Sequence, residues 1–531
     1  MFNLIDEPWI IAQTEDGTQE LSLRDVFREA ESIQRLGGEV PTQTFAILRV
    51  MLAICHHAIG WHSRKDLAHL RRHGLDLSAI DAYLDEWHDR FDLFDPERPF
   101  MQVAGLRTGK NEHSGLEKLI ADVPNGAPFF TTRAGHGLER ISPAEAARWV
   151  VHVQAFDPSG IRSGAVGDDN VKGGKGYPIG PGWSGQLGGV VLHGTNLADT
   201  LRFNLTDTPN DPADVPVWAL DEPHTAKRAA DPVMPVGPVQ LLVWQSRRIR
   251  LVGDRSGVHG VVLAQGDRIA PQNKAELEAM TGWRYSKPQT KKLGRTVYMP
   301  NKHEPERSMW RGLPALVAAG HEKVEDHGSH DRYKAPATIE NLERFEDDDS
   351  DVGFVTLQTI GISYGAQEAT IDEIVDDELA LHASLLSEEA APIRAMLDDE
   401  VRNADECVRT LGQLAANLAR AAGEKGDGAG DGARQRAMEQ GWAELDPVAR
   451  RWVGTLQAES DLLAVKREWQ TEVERVVLRV ERQVLDAAGP AAMRGRETNF
   501  GFLSTPIAHQ RFMRQIRKTL TVIHPSKETT A

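Results

Sequence analysis

The stretch that decides the architecture is "SDLLAVKREWQTEVERVVLRVERQVLDAAG", residues 460–489. Leu462, Val465, Trp469, Val473, Val476, Val480 and Val484 recur at three- and four-residue steps, which on a helix gathers them into one apolar stripe. Ser460 is placed to cap the start and Gly489 to stop the end. Just upstream, "DDEVRNADECVRTLGQLAANLARAAG" (398–423) carries the same stripe on Val401, Ala404, Val408, Leu411, Leu414 and Leu418. A glycine–aspartate linker, "EKGDGAGDGA" (424–433), leads to a helix expected near 434–457, and a further helix follows Pro506. Four amphipathic helices joined by modest loops predict a four-helix bundle over 376–531.

The preceding region, 1–375, reads differently. Strand-like runs rich in valine, leucine and aromatics occur at "GVVLHG" (189–194), "LRFNLT" (201–206), "VQLLVWQ" (239–245) and "VGFVTLQTIGISY" (352–364). Helical pieces lie at 42–61, 76–90 and 143–155. Strands and helices do not alternate regularly, so the expectation is α+β: a large irregular mixed domain followed by the bundle. A chain of 531 residues is in any case too long for one core.

Composition narrows the function. The net charge of −17, from 61 basic and 78 acidic side chains, argues against coating nucleic acid non-specifically. Positive charge is instead concentrated in "SRKDLAHLRRH" (63–73), "WQSRRIR" (244–250) and "SKPQTKKLGR" (286–295), each read first as a solvated face. Cys55 and Cys407 fit no zinc or redox spacing and read as buried thiols of a cytoplasmic protein. No secretion signal opens the chain, and the apolar run 45–61 is interrupted by Arg49, His56 and His57, so it reads as a buried helix and not a membrane span.

Catalytic chemistry is not evident. The glycine-rich 157–189 segment lacks the Lys-Ser/Thr of a P-loop, and no G-x-S-x-G or H-E-x-x-H occurs. His321, His327 and His330, with the acidic run 344–351, match no tight metal motif, and a metal-dependent nuclease built on 321–351 stands as the alternative reading. The primary expectation is a non-enzymatic recognition protein without cofactor.

Several segments, taken in order, resemble the CasA family, the large subunit of the type I-E CRISPR surveillance complex Cascade. They are "FNLIDEPWI" (2–10), "ERPFMQVAG" (97–105), "LEKLI" (116–120), "AFDPSGIRSG" (155–164), "HGTNLADTLRFNL" (193–205), "TGWRYSK" (281–287) and "GISYGAQEATI" (361–371). Some members carry a cysteine cluster before the "TG" segment; this chain has none, so no metal is carried over. The resemblance implies partners: other Cascade subunits, the 5′ handle of a guide RNA, double-stranded DNA bearing a short PAM, and a helicase–nuclease. It implies that the PAM is read from the minor groove by a glycine loop, a lysine finger and a glutamine wedge, while base pairing reads the rest of the target. The wedge matches Gln367, flanked by Ala366 and Glu368; the finger matches Lys287, with Lys291 and Lys292 as neighbours that a shifted alignment would select. The glycine loop matches either Gly160 or one of Gly180 and Gly182. "GAPFFTTRAGHG" (126–137) occupies the place of the handle-gripping loop, with Phe129 or Phe130 to stack on a base and Arg133 near phosphate. In the bundle, Arg511, Arg514 and Lys518 share a face suited to the displaced strand or the duplex backbone.

Overall fold

The apolar stripe of 398–423 becomes the inner face of one long helix, Ala391–Ala422, on which Val401, Ala404, Val408, Leu411, Leu414 and Leu418 are all buried. The structure is a computed structural model that describes residues 1–61, 64–123, 133, 139–207, 211–229, 232–317, 323–325, 329–343, 353–498 and 501–525. Its contacts divide the chain into two units: Met1–Arg307 with Glu322–Glu378, and Ser308–His321 with Leu379–Ala531.

In the second unit the long helix packs against Asp431–Val453, Leu462–Ala487 and Thr505–Thr519. Trp469, Val473, Val476 and Val480 are buried as the spacing predicts, whereas Leu462, on the first turn, is exposed. The cap of that helix is Asp461, not Ser460: its carboxylate accepts the N–H groups of Leu463 (2.9 Å) and Ala464 (3.0 Å). A carboxylate also complements the helix N-terminus better than a hydroxyl. The unit contains a helix that a contiguous division does not place there, Met309–Leu316. Trp310, fully buried, lies 5.8 Å from the Trp469 ring and 6.0 Å from Trp442, while Trp469 stacks on Trp452 at 4.5 Å. Arg311 sits over Trp442 at 3.6 Å and pairs with Asp405. Burial of this indole draws the segment away from its sequence neighbours.

The first unit is built on helix Pro41–Ile59, the apolar run with the interrupting charges. Arg49 is satisfied inside the core by Glu278, through two bonds of 2.8 and 2.9 Å. A three-stranded sheet takes the order Ile371–His382, Phe354–Tyr364, Gly189–His193, with Ile360 opposite Gly189 and Thr356 opposite His193. A long hairpin, Arg247–Asp254 with Gly257–Gln265, packs beside helix Pro143–Phe156.

Several local expectations are corrected. "LRFNLT" belongs to a helix, Leu197–Asn204: Asn196 accepts the Asp199 N–H, and the side chain of Asn204 bonds the backbone of Leu192. "VQLLVWQ" opens as a short helix, Pro238–Leu242, because the Asp214 carboxylate accepts the N–H groups of Val239 and Gln240. The acidic stretch after 370 is a strand to His382, with Val375, Leu379 and Leu381 facing inward at alternate positions. Most consequentially, "WQSRRIR" is no solvated face: Arg247 and Arg248 are fully buried and paired with Asp157 and Asp267.

Two expectations follow. Replacing Trp310 by alanine removes a buried indole from a tryptophan cluster and should cost about 3–5 kcal/mol of unfolding free energy, read by urea denaturation of the helical unit. Burial also pushes His56 and His152 down to about 3. Since the unfolded histidines still titrate normally, stability should fall as pH drops from about 6.5 towards 3, by up to about 1.4 kcal/mol per pH unit for each group. Urea titrations between pH 7 and 5 measure this, and His152→Phe should flatten the decline.

Candidate nucleic-acid interface

Helix Pro143–Phe156 begins at Ser142, whose hydroxyl accepts the Glu145 N–H, and ends at Asp157. The chain leaves the helix through "DPSG", and the carboxylate of Asp157 turns back into the protein. It accepts Arg162 at 2.7 and 3.0 Å and is also held by Nε of Arg247. Arg247 spends its other N–H groups on the carbonyls of Ser246, Asp157, Pro158 and Gly180, at 2.9–3.2 Å. Burial pushes its pKa down, and Asp157 opposes that shift. One guanidinium therefore fixes the backbone of both glycine-containing segments.

The three candidate glycines separate here. Gly182 is buried: its N–H donates to the Asp157 carbonyl, and a Cβ would sit 2.5 Å from the Ala155 carbonyl oxygen. Gly180 adopts φ +98° with open space around it. Gly160 is half-buried, with its carbonyl held by Gln265 at 2.8 Å. Gly160 and Gly180 thus offer backbone at the surface, while Gly182 lets the chain pass against the helix end.

The hairpin between Phe354–Tyr364 and Ile371–His382 reaches the same place. Tyr364, whose hydroxyl burial pushes upward in pKa, donates to the carbonyl of Phe156 at 2.7 Å. The turn closes through Gly365 N–H to the Thr370 carbonyl (3.0 Å), and Ser159 N–H donates to the Glu368 carbonyl at 2.7 Å. Within it Gln367 and Glu368 both take φ +57°, a left-handed conformation that costs non-glycine residues of order 1–3 kcal/mol each. Ala366, Gln367 and Glu368 are exposed, and the Gln367 side chain makes no hydrogen bond among the described residues.

Lysines lie on the small sheet Tyr298–Pro300, Trp283–Tyr285, Tyr333–Lys334 and its helix Lys287–Leu293. Buried Thr290 accepts the Val297 N–H at 3.0 Å and fastens that helix, leaving Lys287 exposed in its first turn and Lys291 and Lys292 in its last. Lys302, which the sequence reading does not single out, extends to the hairpin turn, with Nζ 3.5 Å from Glu368.

Arg133 is largely withdrawn from solvent, paired with Asp122 (3.2 Å) and Glu145 (2.6 Å); Phe129 and Phe130 lie outside the described residues. In the helical unit Arg511, Arg514 and Lys518 are exposed on Thr505–Thr519. Arg511 lines a groove of 640 Å³ together with Arg409, Arg420 and Arg434. His330 stacks on Tyr285 at 5.5 Å, whereas His321, His327 and 344–351 lie outside the described residues. Among the described residues no group of three His, Cys, Asp or Glu side chains could hold a metal ion.

The parts that the sequence reading missed are the braces Asp157, Ser159, Arg162, Arg247 and Tyr364, and Lys302, which reaches the turn without bracing it. A signal existed for one of them. Two adjacent arginines leading directly into an apolar strand, "RRIRLVGD", cannot both face water when side chains alternate and one face packs on a core.

The family model of CRISPR-associated protein Cse1 matches residues 3–480. Thermobifida fusca Cse1, solved by crystallography, superposes with a TM-score of 0.89 at 42% identity, over 98% of each chain. A CasA/Cse1 protein of Thermus thermophilus is 27% identical over 442 residues, 81% of this chain and 80% of that one. A chain of a CRISPR RNA-guided surveillance complex, 21% identical, shares the fold with a TM-score of 0.67 over 91% of this chain and 99% of its own.

Removing the central brace should be costly. Arg247→Met leaves the Asp157 carboxylate buried with only Arg162 and frees the Gly180 carbonyl. We expect a loss of about 3–5 kcal/mol in urea unfolding, the scale of breaking a buried pair from one side.

Proposed function

The chain belongs to the family of CRISPR-associated protein Cse1, and we propose that it is the non-catalytic large subunit of an RNA-guided surveillance complex, reading the PAM of duplex DNA and starting its opening. The observation that carries this reading is the hairpin turn 365–370, tied to the backbone of Ser159, which holds Gln367 exposed, in a strained conformation, with no side-chain hydrogen bond among the described residues. A long polar side chain on a braced turn can enter a base stack, as intercalating side chains do in minor-groove binders. The surface backbone at Gly160 and Gly180 can lie close to a groove floor, and Lys287, or else Lys291 or Lys292, supplies a donor to the acceptor atoms there. Such contacts tolerate several A·T and T·A arrangements, which suits a sensor that accepts variants of one motif.

In this reading, Ala366 and Glu368 flank the wedge, the 126–137 segment with Phe129, Phe130 and Arg133 meets the guide-RNA handle, and the face of Arg511, Arg514 and Lys518 meets DNA backbone. The partners are the other subunits of the complex, its guide RNA, the PAM-bearing duplex and a helicase–nuclease that cuts the opened target.

The test separates capture from opening. Unstacking the first base step costs a few kcal/mol, so Gln367→Ala should slow R-loop formation on a fully paired target by roughly tenfold or more. A target with a pre-melted bubble beside the PAM should recover most of that rate. Lys287→Ala should weaken docking by about 1–3 kcal/mol, the scale of a good base-edge contact, and gain little from the bubble. A Gln367 variant equally slow on both targets would remove the wedge.

A further inference from the structure

Lys302 is the residue that the preceding reading leaves without a role. Its position is rigidly set, because its neighbours on both sides are tied down. Asn301 N–H donates to the Gly282 carbonyl at 2.8 Å, and the His303 imidazole bonds the Gly189 carbonyl at 2.9 Å. Between them the Lys302 side chain leaves the scaffold and runs over the Tyr364 ring, with Nζ 6.0 Å from its centroid. It ends 3.5 Å from a carboxylate oxygen of Glu368, the residue immediately after Gln367.

The pairing itself is weak. Lys302 is 44% exposed and Glu368 48%, and at 3.5 Å the contact is a loose, solvated one that holds little by itself. Glu368 is already fixed by its carbonyl, which accepts the Ser159 N–H, so the turn does not need the ion pair to keep its shape. What the pair does is electrostatic. A bare carboxylate on the surface offered to a duplex repels phosphate, and an ammonium at its side cancels that repulsion. Because the two are loosely joined, the ammonium is free to exchange one oxyanion for another without unmaking any buried contact.

We infer that Lys302 is a DNA-phosphate ligand beside the wedge, which leaves Glu368 for a backbone phosphate when the duplex docks on the turn. This rests on the PAM-sensing reading above. The ligand is the phosphodiester, not a base edge, so the contact adds affinity without sequence preference and holds the backbone where Gln367 acts on the stack.

The test is a double-mutant cycle on the assembled complex, measuring equilibrium binding of a PAM-bearing duplex across a salt series. Each phosphate contact contributes roughly 0.9 to the slope of log K against log salt. Lys302→Ala should weaken binding several-fold at moderate salt and lower the slope by about that one increment. Lys302→Arg should restore both, and the loss should be equal on duplexes with different PAM sequences. Glu368→Gln, which removes the competing anion, should tighten binding. Lys302→Ala placed on top of Glu368→Gln should weaken it again and lower the slope by the same increment. If the double variant instead binds as Glu368→Gln alone, or if the slope of Lys302→Ala is unchanged, Lys302 only neutralises Glu368 and the inference is overturned. Gln367→Ala run alongside distinguishes the two levels. Normal wedge behaviour with a silent Lys302 sinks this inference alone, whereas a Gln367 variant insensitive to the bubble sinks the reading beneath it.

Discussion

The buried contact between Arg247 and Asp157 is the constraint on which the surface of the first unit depends. An arginine is required there by geometry and not by charge alone. Nε meets the carboxylate while the terminal nitrogens reach carbonyls of Ser246, Asp157, Pro158 and Gly180, and a lysine has neither the planar fork nor the donors to do this. Buried pairs of this kind add little net stability over apolar packing, but they specify one arrangement of the backbone. In this protein the arrangement specified is that of two glycine-bearing segments, whose glycines have no side chains by which to be held.

The hairpin turn shows the complementary strategy. Glycine at 367 or 368 would relieve the left-handed backbone at once. The sequence keeps side chains at both positions, and the surrounding contacts hold them there: Ser159 N–H on the Glu368 carbonyl, Gly365 on Thr370, and the Tyr364 hydroxyl on the end of helix Pro143–Phe156. Strain at an exposed position, where glycine would serve folding equally well, supports the contact role proposed for this turn.

Much of this architecture was legible in the sequence. Helical periodicity located the long helices after 390, and strand-like runs located 189–193 and 354–364, because each carries its own local signal. The family resemblance picked out the hairpin turn and the glycine segments. Where reading failed, non-local chemistry decided the outcome. "VQLLVWQ" has strand composition, yet a carboxylate from Asp214 caps it as a helix. The acid-rich 371–382 stretch looks solvated and helical, yet its alternate apolar residues pair it into a sheet. Helix Met309–Leu316 joins the helical unit through Trp310 and through Arg311, which meets Trp442 and Asp405. Arg247 looked like surface because its partner lies 90 residues away.

Net charge places a last condition on how such a surface can work. At −17 the chain as a whole disfavours approach of a polyanion, so weak sequence-independent attachment is suppressed. Cations that are to meet DNA must then be few, placed and cooperative in their geometry. The buried arginines 49, 247 and 248 are consumed by internal carboxylates and contribute nothing outward. Exposed cations include Lys287, Lys291 and Lys292 on the short helix after Trp283–Tyr285, and Lys302. Under the proposed function, a duplex seated on the turn gains from the cations of the first unit, while the net negative charge of the chain opposes looser attachment. Recognition by such a protein is therefore governed as much by where its positive charge is absent as by where it stands.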